Sequence, residues 1–230
     1  MLIAGNWKLN CNIEEAKDLS NSILNILRDK DLSTDVALFP PNIYIDTVKN
    51  IVNNSKIYIG AQDCSMHISG AYTGDVSAQM LNDMKCKYII VGHSERRIGK
   101  NETNNDVALK AKNVMENKMC PIICVGEDVQ DRDSGNALKF IEKQLDDCMK
   151  YCNSLYIHGC SKSGKTTTIL NYIKSHDYDY TYTTLQNIKC EEDFMKYMNS
   201  QNIYKMFFKK KSHFEKRPIK KVIIVDNIDY

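Results

Sequence analysis

No apolar run of about 18 residues occurs in this sequence, so no helix long enough to span a membrane is expected. Nor does the N-terminal stretch MLIAGNWKLN pair a basic region with a long apolar one, so no secretory leader is read there and a cytoplasmic location is expected. Among nine cysteines there is no Cys-x-x-Cys pair, and their spacing is irregular and their number odd, so a zinc site is not indicated. Without a leader, reduced thiols are the expectation, and Cys120 and Cys124, flanking an apolar stretch, are read as packing residues rather than nucleophiles. Neither sign of charge dominates, with 31 Lys and Arg against 29 Asp and Glu. Hydrophobic residues make up 43% and charged residues 26%, a globular composition that excludes wholesale disorder.

The near-zero balance conceals a division. Residues 1–150 hold 18 basic and 21 acidic side chains, a net of −3, whereas residues 151–230 hold 13 and 8, a net of +5. Tyrosine clusters and the run Lys209-Lys210-Lys211 occur only in the second part. The sequence is therefore read as two segments, 1–150 and 151–230, joined without a flexible linker because Gly, Pro and Ser are scarce at the junction.

Periodicity gives the first segment a repeated order. Strands are expected at 2–6, 36–39, 56–61, 88–92 and 121–126, and helices at 14–28, 43–53, 79–84, 106–117 and 135–149. Strands such as YIIVG are apolar on consecutive residues, as in a parallel sheet buried on both faces. Five βα units in a row predict an α/β fold that stays open or heads towards a barrel. In such barrels the chemistry sits at the C-terminal ends of the strands. Here those ends carry Asn6 and Lys8, Gln62 and Asp63, His93 and Glu95, and Glu127.

The motifs AGNWKLN (4–10), GAQD (60–63), SGAYTGDVS (69–77), VGHSERR (91–97) and CVGE (124–127) follow one another in an order and spacing that strongly resemble the triosephosphate isomerase family. The resemblance covers about residues 1–150. It implies an incomplete TIM (β/α)8 barrel and the interconversion of glyceraldehyde 3-phosphate and dihydroxyacetone phosphate, a step of glycolysis and gluconeogenesis, with no cofactor. It assigns Lys8 as the substrate-binding cation, Asn6 as its polar partner and His93 as the electrophile. As is already known of that family, the histidine is kept neutral so that it donates to the substrate oxygen. Glu95 matches a carboxylate that supports the site and pairs with Lys8. Thr73, in the 69–77 loop, matches the residue that crosses into a second subunit, so a homodimer and a triose phosphate substrate are implied. Arg96 and Arg97 are read as structural pairing rather than substrate contacts.

The same comparison shows what to expect of the chemistry. The family's general base follows its sixth strand, in a motif resembling AYEPVWAIGTG that this sequence does not contain. Its lid loop and the glycine turns that hold phosphate have no match either. Isomerisation by proton transfer needs a base at the substrate carbon, so the chain alone is expected not to turn over. Five strands also leave sheet edges and half of an apolar interior open, and this predicts a poorly soluble monomer unless another surface covers them.

The second segment reads differently. NSLYIH (153–158) is a strand followed by Gly159-Cys160-Ser161-Lys162-Ser163-Gly164-Lys165-Thr166, a full GxxxxGK[ST] match that opens a helix through Lys174. In that motif the loop amides, including those of Gly159, Ser163 and Gly164, cradle phosphates, Lys165 reaches the outer ones, and Thr166 holds Mg²⁺. KKVIIVDNIDY (220–230) places Asp226 after an apolar strand, where it would order the Mg²⁺ shell. The segment resembles the start of a P-loop NTPase of the AAA+ clamp-loader or origin-recognition group, which implies Mg-ATP as ligand. The basic run at 209–211 is read as a solvated loop rather than a nucleic acid contact. Three functions follow as expectations: an isomerase-like protein with an incomplete catalytic set, an Mg-ATP-binding module, or a non-catalytic chimeric or truncated product that assembles through open sheet edges.

Overall fold

The computed structural model describes residues 2–28, 30, 35–127, 132–149, 154–157 and 221–224. The chain divides into two compact units, residues 1–124 and 125–230. In the first, strands β1 (Leu2–Asn6), β2 (Asp35–Phe39), β3 (Ile57–Ala61), β4 (Tyr88–Val91) and β5 (Cys120–Ile123) form one sheet in chain order, each pair parallel. Between them run α1 (Ile13–Leu27), a short 3-10 turn at Asn42–Tyr44 leading into α2 (Ile45–Val52), α3 (Ala78–Asp83), and the pair α4 (Ser94–Gly99) and α5 (Asn104–Glu116). This is half of a βα barrel, with β1 and β5 as its edges among the described residues.

Side-chain caps set where the helices begin. The Asn12 carboxamide accepts from the amides of Glu14 and Glu15 while the Glu15 carboxylate accepts from the Asn12 amide, so α1 starts at Ile13. Thr103 and Asp106 make the same reciprocal pair at α5, and the Ser77 hydroxyl accepts from the Met80 amide at α3.

The sheet is apolar on both faces, as the consecutive hydrophobic strands predict. Leu38, Ile59, Ala61, Ile89 and Val91 are buried on one face. Ala37, Phe39, Tyr88 and Ile90 form a buried cluster on the other, with Leu2, Tyr58, Ile122 and Cys124 packed against it. In the full chain Phe39 is 0% and Ile90 4% exposed. The Phe39 ring lies over Gly60, where an added Cβ would come 2.2 Å from the ring and 2.5 Å from the Tyr88 carbonyl. Tyr58 and Tyr88 meet edge to face at 5.9 Å. At the foot of the strands Asp35 accepts from the Tyr88 hydroxyl at 2.6 Å and from Lys87 at 3.2 Å, and the Lys87 ammonium sits 3.4 Å from the Tyr58 ring centroid. Cys124 does pack as expected, whereas Cys120 is exposed.

The second unit holds α6 (Ala137–Met149), β6 (Ser154–Ile157) and β7 (Lys221–Ile224). Gln144 of α6, 1% exposed, accepts from the Gly126 amide at 2.8 Å, and Arg132 bonds Glu127 at 2.7 Å. β6 and β7 are parallel neighbours, in register from Ser154↔Lys221 to Ile157↔Ile224. Among the described residues no helix is long and apolar enough to cross a membrane.

Candidate functional site

Parallel strands in sequential order bring the exits of β1, β3 and β4 to one rim. The chain leaving β1 is tied down at once. Trp7 donates its amide to the Phe39 carbonyl at 3.1 Å, and Asn10 caps the Trp7 carbonyl at 2.7 Å. Lys8 then adopts a left-handed backbone, φ +54°. That conformation is costly for a residue with a Cβ. Two side chains offset the cost: the Asn6 carboxamide oxygen accepts from the Lys8 amide at 2.9 Å, and Gln62 donates to the Lys8 carbonyl at 2.9 Å and to the Phe39 carbonyl at 2.8 Å. The Lys8 ammonium is thereby sent towards the β4 exit, where it meets the Glu95 carboxylate at 2.8 Å with both side chains about half exposed. Hydrogen bonding from Lys8 holds the Glu95 carboxyl below the usual carboxylate range.

His93 caps α4. Its Nδ1 lies 3.4 Å from the Glu95 amide and equally far from Glu95 Oε2. The nitrogen accepts from the amide only when unprotonated and donates to the carboxylate only when protonated, so the two contacts belong to alternative states. In the first, the ring proton sits on Nε2.

Beneath this rim lies a buried ionic network. Lys110, its side chain 6% exposed, reaches Asp63 at 2.8 Å and Glu102 at 2.6 Å, and Arg96 bonds the same two carboxylates. Burial raises the Asp63 carboxyl above its ordinary value despite both cations. Glu102 Oε2 is buried without a hydrogen-bond partner. A cleft of about 370 Å³ opens over this network and includes neither Lys8 nor His93. Arg96 is thus a structural pairing residue, as the sequence suggested. Gln62, which the sequence placed at a strand exit, and Arg97, read there as structural pairing, contribute contacts whose partners the motifs did not specify.

Of the residues singled out in the sequence, Asn6, Lys8, His93 and Glu95 come together. Thr73 stands exposed in a loop braced by Ser65 bonding Asp75 at 2.6 Å and by His67 stacked on Tyr72 at 3.6 Å. Gly159, Ser163, Gly164, Lys165, Thr166 and Asp226 lie outside the described residues, so the phosphate loop and its Mg²⁺ site are not part of this geometry. Among the described residues no group of three His, Cys, Asp or Glu is placed to hold a metal ion.

The comparisons bear on the family. The family profile described as triosephosphate isomerase matches residues 1–158. A triosephosphate isomerase of Hahella chejuensis is 47% identical over 146 residues, which is 63% of this chain and 58% of that protein. One from Legionella pneumophila is 37% identical over 185 residues, covering 77% of this chain and 74% of that protein. One from Blochmanniella floridana is 40% identical over 154 residues, 64% of this chain and 58% of that protein. The chain thus spans little more than half the length of two of these relatives. A β1 exit that holds a cation against the β4 exit, within a profile match covering most of the chain, places this protein in the triosephosphate isomerase family.

Proposed function

We propose that this chain carries the substrate-binding and carbonyl-polarising half of a triosephosphate isomerase site and that it does not turn over alone. The observation that supports the reading is the continuous contact path from Asn6 through Lys8 to Glu95 and His93. A triose phosphate is an anion, and Lys8 is a half-exposed ammonium held in place by its own backbone. It compensates negative charge on the ligand and on an enediolate developing beside it. The imidazole, with its proton on Nε2, donates to the carbonyl oxygen and makes the neighbouring C–H more acidic. Removing that proton needs a second group acting as a base. The carboxylate that touches His93 is Glu95, whose affinity for protons is lowered by Lys8, so it is a poor base. The exposed loop carrying Thr73 is the surface through which two copies would form a homodimer.

The test is dihydroxyacetone phosphate titrated into the full chain and followed by NMR, beside a coupled assay for glyceraldehyde 3-phosphate. Saturable binding lost in Lys8→Met, with no turnover, is the expected result. Turnover that disappears in His93→Gln would overturn the inactive reading, and absence of binding would overturn the substrate reading.

A second reading has one observation in its favour. Because β6 and β7 are parallel and in register at Ile157↔Ile224, their C-terminal ends, which precede Gly159 and Asp226 in the sequence, lie at the same end of the pair. That is the arrangement a phosphate loop and a Mg²⁺-ordering aspartate require. Labelled Mg-ATP retained by the chain and lost in Lys165→Ala is the outcome that would support an ATP-binding module; equal retention by both would dismiss it.

A further inference from the structure

Adjacent arginines in the last turn of α4 do different things. Arg96 turns to the buried carboxylates of Asp63 and Glu102. Arg97 reaches the ends of three elements with its guanidinium. Its Nε donates to the Gly92 carbonyl at 2.8 Å, Nη1 to the Asn104 side-chain oxygen at 2.7 Å, and Nη2 to the Cys124 carbonyl at 3.2 Å. These partners are the residue just before His93, the first residue of α5 and the residue just after β5. In addition, the Arg97 amide donates to the His93 carbonyl at 3.0 Å. The peptide that carries the imidazole is therefore gripped on both sides by one residue.

The grip is close-fitting. Gly92 has φ +69°, and a Cβ there would come 2.8 Å from Val107 and 2.9 Å from the Arg97 guanidinium. His93 itself takes an extended backbone, φ −55° and ψ 143°, and its ring direction follows from that turn. We propose that Arg97 is the positioning residue of His93: its planar fork fixes the Gly92–His93 turn against β5 and α5, and so aims the imidazole. A lysine carries the same charge but cannot hold three acceptors in one plane. The consequence for chemistry rests on the reading of His93 as the electrophile, because aim matters at the scale of a fraction of an ångström only for a reacting group.

The experiment uses the full chain with its histidines labelled by ¹⁵N, the His93 resonances being those lost in His93→Gln. In Arg97→Lys they are expected to move or split, reporting an imidazole with more than one orientation. Arg96→Lys is expected to lower the melting temperature while leaving them at the wild-type positions. Unmoved His93 resonances in Arg97→Lys overturn the proposal, as do resonances that move equally in Arg96→Lys, since loosening of the fold would then explain both. Should Arg97→Lys not fold, Asn104→Ala removes one anchor of the fork and must move the same resonances, or the proposal fails. Adding dihydroxyacetone phosphate separates the two readings. No response in the wild type sinks the substrate assignment, while the ligand-free spectra still decide the role of Arg97.

Discussion

Two lysine–carboxylate contacts in this protein have the same length and opposite circumstances. Lys8 meets Glu95 at 2.8 Å with side chains 52% and 58% exposed; Lys110 meets Asp63 at 2.8 Å with side chains 6% and 15% exposed. In water an ion pair is screened and contributes little to stability, so Lys8 is free to exchange its partner for a ligand. Inside the fold, an ion without its partner is expensive, so Lys110 cannot be spared. Distance alone does not separate a binding group from a strut; solvent does.

The sharpest way to break this comparison is Lys110→Met. It leaves Asp63 and Glu102 sharing Arg96 alone in a buried place, and about 3–5 kcal/mol of stability should be lost, read from the urea midpoint. A loss under about 1 kcal/mol would mean that the network is wetter than its burial indicates. Gly60→Ala asks how firmly the wall behind the rim is packed. Its Cβ must displace the Phe39 ring, so a drop of about 1–3 kcal/mol is expected in thermal unfolding, with the Phe39 ring resonances moved. Lys8→Met should cost no more than about 0.5 kcal/mol while abolishing binding of triose phosphate, the reverse of Lys110→Met.

The smallest effect concerns protons. The Glu95 carboxyl is lowered by Lys8, so its contribution is present above its ordinary value of 4.5 and fades as pH falls through a midpoint below that value. The Asp63 carboxyl is raised by burial, so the folded state takes up its proton first and this group opposes folding increasingly as pH climbs above 3.8. Carboxyl ¹³C titration should therefore give Glu95 below 4.5 and Asp63 above 3.8, and Lys8→Met should move Glu95 upward and leave Asp63 in place.

The element pattern was largely legible because apolar periodicity follows directly from two-sided burial: the strands expected at 2–6 and 88–92 appear as Leu2–Asn6 and Tyr88–Val91. Starts of helices were displaced by one or two residues because Asn12, Ser77 and Thr103 fix them through side-chain bonds that periodicity does not register. The rim residues were legible through the motifs. The network of Asp63, Glu102, Arg96 and Lys110 was not, since partners 47 residues apart, such as Lys110 and Asp63, meet only after the sheet has formed.

The left-handed turn at Lys8 has a consequence for mutational drift at that codon. A branched side chain such as isoleucine or threonine is refused there by the main chain itself, before any ligand is considered. Arginine is admitted on the same steric terms as lysine and keeps the charge. Asparagine, the residue most at ease in this backbone after glycine, would relax the turn and discharge the rim in one step. Selection on the local geometry and selection on the charge thus pull position 8 in different directions, and a survey of tolerated substitutions there would measure which pull is stronger.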